Sequence, residues 1–241
     1  MSTRLYCDAQ LGIGQTIHLD ATASRHLREA LRIREGDSVV VFNGLGGEFP
    51  GTVVAVQRAA VSVRLEGFCD INRESPLRVR LAQGISRGER MDFTIQKAVE
   101  LGVSAIAPLA TERSTVRLDE ARARKRAEHW QGIVRHAAEQ SGRTRMPVLE
   151  PVKPVEELLS DLPEEGRFLL DPTADTALGS VSLPLAVCLA IGPEGGFSPF
   201  ERQRLEDAGF QRLRLGPRIL RTETAALVAL SILQDRGGDL R

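Results

Sequence analysis

A chain of 241 residues, 42% hydrophobic and 27% charged, has ordinary globular composition and length enough for two domains. Its 32 Lys+Arg and 32 Asp+Glu cancel, which excludes a histone-like or polybasic protein and leaves any nucleic-acid partner to a local patch. Lys97, Lys125 and Lys153 are the only lysines, so the remaining basic residues are arginines. A guanidinium grips phosphate or carboxylate at two points, although a genome-wide arginine bias accounts for the count equally well.

Cys7, Cys69 and Cys188 are odd in number and far apart, so no disulfide framework is expected and a reducing, cytoplasmic location is the default. Arg4 and Asp8 interrupt the first ten residues, and no signal peptide is expected there. The stretch from Thr176 to Pro193 is uncharged, but its apolar part is only Leu185 to Ile191. That length suits a buried strand, not a membrane span.

The first seventy residues read as β. A short helical stretch lies between Ala21 and Ile33, with Leu27, Ala30 and Leu31 on one face. Val39 to Phe42 is a β-branched run, Asn43 to Gly47 a turn cluster, and Phe49 to Val56 resumes the strand. Val61, Val63 and Leu65 alternate with polar residues, as in a half-buried strand. Short strands around few helices suggest a small barrel. The polar segment Asp70 to Pro76 marks the boundary, giving domains over 1–72 and 73–241.

Beyond it strands and helices alternate. Strands are expected at Leu77–Ala82, Val103–Leu109, Pro147–Leu149, Phe168–Leu170, Leu185–Ile191 and Arg212–Leu215. Helices are expected at Glu89–Leu101, Asp119–Ser141, Val155–Leu159, Pro199–Ala208 and Thr224–Gln234. This rhythm argues for an α/β domain with a mostly parallel sheet covered on both faces.

No P-loop, dinucleotide fingerprint or nucleophile elbow is present. His18, His26, His129 and His136 are dispersed, so no metal site is expected. Two segments stand out. Ile191-Gly192-Pro193-Glu194-Gly195-Gly196-Phe197-Ser198 follows a buried strand, and Ser198 with Glu201 forms a capping box for the next helix. Leu215-Gly216-Pro217-Arg218-Ile219-Leu220-Arg221-Thr222-Glu223-Thr224-Ala225 also follows a strand and opens a helix. Charges crowded among apolar residues need partners or a ligand. Loops at the carboxyl ends of parallel strands are where ligands bind in α/β sheets, so both are expected to converge on one site.

Together these two segments closely resemble the SPOUT methyltransferases, and among them the ribosomal small-subunit methyltransferase E family. The resemblance extends to Arg4-Leu5-Tyr6, His26-Leu27, Gln96 to Gly102, Glu112-Arg113-Ser114 and Ala138 to Arg143. Arg25 departs from it, since many members carry histidine there. The resemblance implies a PUA-like β-barrel that binds RNA, followed by a SPOUT α/β trefoil knot, in a homodimer joined through the knots. It implies S-adenosyl-L-methionine as cofactor and 16S rRNA as partner, within the small ribosomal subunit, methylated at N3 of a uridine (position 1498 in the usual rRNA numbering). Neither membrane nor metal is implied. Methylation of another rRNA or tRNA position, or RNA binding without catalysis, are the alternatives.

The expected cofactor set is Leu170, Ile191, Gly192, Glu194, Gly195, Gly196, Leu215, Gly216, Ile219, Leu220 and Thr224. Backbone groups at Ile191, Leu215 and Leu220 would read the adenine, and the glycines would let the ligand approach closely. An imide nitrogen must lose its proton before it attacks, which calls for a cation and a base. Arg221 is the expected cation, with Arg143 as a clamp on phosphate or base. Glu223 is expected to orient Arg221 or take the proton, and Glu139 is a second candidate base. Arg113, Arg117, Arg122, Arg124, Lys125 and Arg126 form a candidate RNA footprint, or else a solvated helix face.

Overall fold

The period-two alternation of the first seventy residues becomes a five-stranded sheet. The computed structural model describes residues 3–116, 119–162 and 165–240. The chain divides into two compact units: one runs up to Glu74 and also takes in Ala138–Met146, and the other holds Ser75–Ala137 and the residues from Pro147 onward.

The first unit comprises β1 (Thr3–Tyr6), β2 (Thr16–His18), α1 (Ala21–Glu29), β3 (Ser38–Phe42), β4 (Phe49–Val56) and β5 (Val61–Leu65). Their order is β1-β3-β4-β5-β2, with β1 parallel to β3 and the other pairs antiparallel. Val39, Val41, Val61, Val63 and Leu65 turn inward at alternate positions and are buried. Leu5 of β1 and Ile17 of β2, from the two ends of the order, join the same core, so the sheet folds around it. Helix α1 begins at Asp20, whose side chain accepts from Ala23 N at 2.8 Å, and it seats Leu27 in that core.

The second unit comprises β6 (Arg78–Gly84), α2 (Glu89–Glu100), β7 (Ala105–Leu109), α3 (Glu120–Ser141, whose last residues belong to the first unit), β8 (Val148–Leu149), α4 (Val155–Leu158), β9 (Gly166–Leu170), β10 (Ala186–Ile191), α5 (Pro199–Asp207), β11 (Gln211–Leu213) and α6 (Thr222–Gly237). Every pairing in the order β11-β9-β10-β6-β7-β8 is parallel. The central strand β10 is an unbroken apolar run, buried at every residue, as a strand covered on both faces must be. Cys188 and Ala190 pack with Leu158 of α4 and Leu205 of α5. Val187, Leu189 and Ile191 point the other way and are equally buried, and α6 packs against β10 and α2. Burial pushes the Cys188 thiol up to about 12, so it behaves as core.

After β11, at the sheet edge, the chain returns to the centre of the sheet. Thr222 Oγ1 donates to Gly192 O at 2.7 Å and accepts from Gln83 Nε2 at 2.9 Å. Gly84 lets the loop after β10 lie close against β6: a Cβ there would stand 2.5 Å from Pro193 N. Helix α6 starts at Thr222, two residues before the position expected from apolar periodicity, because Arg221 already occupies the cap.

Candidate active site

Three neighbouring strands, β9, β10 and β11, deliver their carboxyl ends to one cavity of about 610 Å³. That size suits a small organic ligand. Leu170 and Asp171 come from the end of β9, Ile191 through Gly196 from the end of β10, and Leu213 through Gly216 from β11 and the loop after it. Arg218, Ile219, Leu220 and Arg221 close the wall opposite. Of the expected cofactor set, Thr224 alone is not among the lining residues; it sits exposed on the first turn of α6, while Thr222 and Ala225 face the cavity.

The loop after β10 is held by its own chemistry. Ser198 and Glu201 form the expected capping box, with Ser198 N donating to Glu201 Oε2 at 2.8 Å and Glu201 N to Ser198 Oγ at 3.1 Å. The other oxygen of Glu201 accepts from Glu112 N at 2.8 Å, tying the loop to the segment after β7. The glycines have different tasks. A Cβ on Gly192 would stand 2.9 Å from the backbone of Gly196, and one on Gly195 would stand 3.1 Å from Arg113 Cβ. These two let the loop pack on itself and on Arg113, and both also line the cavity. Gly196 and Gly216 have φ of +66° and +122°, and a Cβ at either would enter open space. Both line the cavity, and their left-handed backbone is what calls for glycine.

Charge is distributed unevenly. Burial alone would raise the Glu194 carboxyl, but hydrogen bonds from backbone N–H groups, Arg87 among them, and the Arg90 guanidinium outweigh it and hold the group below the usual carboxylate range. Arg90 Nη1 lies 2.9 Å from Glu194 Oε1, and its Nε lies 3.8 Å from Glu223 Oε1. Glu223 therefore finds its cation in Arg90 of α2, not in Arg221 as expected. Its side chain is 14% exposed, and Oε2 has no hydrogen-bond partner among the described residues. Arg221 is exposed at the cavity and makes no ion pair or side-chain hydrogen bond among the described residues. Arg90 was missed in the sequence; its one signal is its place just after Gly88, where a helix opens beyond a strand end.

Glu139 and Arg143 are not brought to this cavity; they belong to the first unit. Glu139 Oε1 accepts from Tyr6 N at 2.9 Å. Arg143 is 6% exposed and donates from Nε to Glu74 Oε2 at 3.0 Å. In the expected RNA footprint, Arg122 and Arg124 face Asp119 and Glu120 at 3.4 and 3.6 Å, the pairing of a solvated helix face. Arg113 lies over Gly195, and Arg117 falls outside the described residues. Among the described residues no His, Cys, Asp or Glu cluster could hold a metal, and no helix is long and apolar enough to cross a membrane.

Residues 73–234 match the model of an RNA methyltransferase domain, and residues 19–66 that of an RNA methyltransferase PUA domain. The ribosomal RNA small subunit methyltransferase E of Buchnera aphidicola subsp. Schizaphis graminum is 34% identical over 98% of this chain and 97% of its own. The chain belongs to the ribosomal RNA small subunit methyltransferase E family. The namesake from Bacillus subtilis is 33% identical over 93% of this chain and 91% of its own. Among solved structures, the Neisseria gonorrhoeae methyltransferase E bound to S-adenosyl methionine superposes with a TM-score of 0.93, at 38% identity and over the whole of both chains. A Legionella pneumophila protein solved with bound cofactor SAM gives a TM-score of 0.95 at 40% identity, again over both whole chains. The PUA match lies within the first unit, and the methyltransferase match takes in most of the second.

Proposed function

We propose that this member of the methyltransferase E family transfers a methyl group from S-adenosyl-L-methionine to N3 of a uridine in 16S rRNA. The observation that carries the reading is the cavity where three parallel strands end, lined by Gly196 and Gly216, with Arg221 at its wall making no ion pair or side-chain hydrogen bond among the described residues. Leu170, Ile191, Leu215 and Leu220 give it an apolar slot for an adenine, and the loop backbone supplies donors and acceptors. The two relatives crystallised with the methyl donor support the assignment. When bound, the donor supplies an electrophilic methyl group on a sulfonium.

The chain's own part is charge control. Arg221 offers two N–H donors to an oxygen edge of the uridine and stabilises the anion left when N3 loses its proton. Glu223 Oε2, buried and without a hydrogen-bond partner among the described residues, is the acceptor for that proton, in preference to Glu139, whose carboxylate is engaged in the first unit. The N3 lone pair then forms the new N–C bond as the C–S bond of the donor breaks.

Nucleosides of 16S rRNA from cells lacking this gene, analysed by mass spectrometry, are expected to lose 3-methyluridine and regain it when the gene is restored. Loss of a methyl group from a tRNA or another rRNA position would move the substrate, and no loss would leave an RNA-binding protein without catalysis.

The reading includes a homodimer, the trefoil knot and an RNA-binding role for the PUA domain. Helix α6 supports the first: Ala226, Ala229, Leu230 and Leu233 are buried, while Leu227, Val228 and Ile232 on the remaining face are only half-buried. A second copy is the natural cover for that apolar face. Sedimentation at micromolar concentration is expected to show a dimer, and a monomer would exclude it.

A further inference from the structure

Two struts join the glycine loop to the first turn of α6. One is neutral and runs from Gln83 through Thr222 Oγ1 to Gly192 O. The other is ionic: Arg90, the second residue of α2, reaches Glu194 through Nη1 at 2.9 Å and faces Glu223 through Nε at 3.8 Å. Glu194 also accepts from Arg87 N at 3.1 Å, which fixes the loop's carboxylate at the entrance of α2. Two carboxylates from segments far apart in sequence thus share one guanidinium. Arg221 is flanked by the end points of both struts, since Thr222 and Glu223 follow it directly.

We propose that Arg90 is a positioning residue for the methyl transfer: by clamping Glu194 and Glu223 it holds the first turn of α6, and with it Arg221, at a fixed place against the glycine loop. The proposal rests on the function argued above. A planar guanidinium presents different N–H groups to the two carboxylates at once. An ammonium keeps the charge but cannot hold both in the same geometry. A displacement of about 1 Å is enough to cost a transfer reaction up to a hundredfold.

The test uses the full chain as Arg90→Lys, as Arg90→Met, and as Arg90→Lys combined with Arg221→Lys. Arg90→Lys is expected to melt near the parent temperature and to bind S-adenosylhomocysteine within a few-fold of it. Its single-turnover rate should fall about tenfold or more. Backbone amide exchange over residues 222–225 should quicken in the donor-free protein, and more so in Arg90→Met. Added to Arg221→Lys, the Arg90→Lys change should cost little further rate, because both act through one arginine. A lysine variant within a few-fold of the parent rate, unchanged exchange over 222–225, or full additivity with Arg221→Lys would each overturn the clamp. A parent chain that transfers no methyl group to RNA would instead sink the functional reading, and the exchange measurement would still decide the clamp.

Discussion

Replacing Arg221 by lysine is expected to leave the fold and most of the affinity for S-adenosylmethionine intact while slowing transfer by about a hundredfold or more, the loss typical of one preorganised electrostatic donor. Arg221 caps α6 with extended backbone and makes no side-chain cap bond, so the helix does not depend on its guanidinium. The side chain is exposed and engages no other described residue, so its loss leaves no buried charge behind. What lysine cannot reproduce is the flat two-point grip on a delocalised anion. Arg221→Ala should be no better. Single-turnover methylation of small subunits with saturating donor isolates this step. A lysine variant within a few-fold of the parent would mean that charge alone suffices or that another residue carries the step.

The largest expected loss of stability lies away from the cavity. Arg80 on β6 holds Glu150 with two bonds of 2.6 Å, and Lys153 adds a third at 2.7 Å. Both members of the Arg80–Glu150 pair have side chains 13% exposed. Burial alone would raise the Glu150 carboxyl; Arg80 and Lys153 outweigh it and hold the group below its ordinary 4.5. Removing Glu150 leaves the mostly buried Arg80 with only Asp161, through its carbonyl oxygen and an exposed carboxylate 3.6 Å away, so Glu150→Ala should cost about 3 kcal/mol in chemical denaturation with an unchanged slope. The carboxyl is depressed in the folded state. Its contribution is therefore complete above 4.5, the ordinary value, and is lost as pH falls through the folded value. The parent and the alanine variant should thus converge in strongly acid solution. A loss below about 1 kcal/mol at neutral pH would place this pair with ordinary surface ion pairs.

The architecture was largely legible because it rests on local signals. The buried run of β10, the Ser198–Glu201 capping box and the glycines of the following loop lie within a few residues of one another. Period and cap chemistry mark them without tertiary information. The cavity was legible for a related reason, since loops at parallel strand ends converge wherever their strands are neighbours. The ion-pair partners were not legible. Arg90 and Glu194 lie 104 positions apart, and nothing in either segment specifies the other. Glu139 and Arg143 show the same limit from the opposite side. Glu139 stands in the last turn of a long helix that begins in the second unit, and Arg143 follows that helix, yet Tyr6 and Glu74 engage them within the first. Gly195 lines the cavity as the loop's position implies, but only coordinates could show that a Cβ there would also meet Arg113.

Calorimetry of S-adenosylhomocysteine binding tests most directly the claim on which the rest depends, that the cavity at the ends of β9, β10 and β11 holds the methyl donor. Leu220 lines that cavity half-buried, so Leu220→Glu would place a carboxylate in its apolar slot without opening the core. The parent should bind one ligand per chain, and the variant should melt normally yet bind at least about a hundredfold more weakly, the cost of a charge set against an apolar ring. Parental affinity in a folded Leu220→Glu variant, or no binding by the parent, would contradict the account.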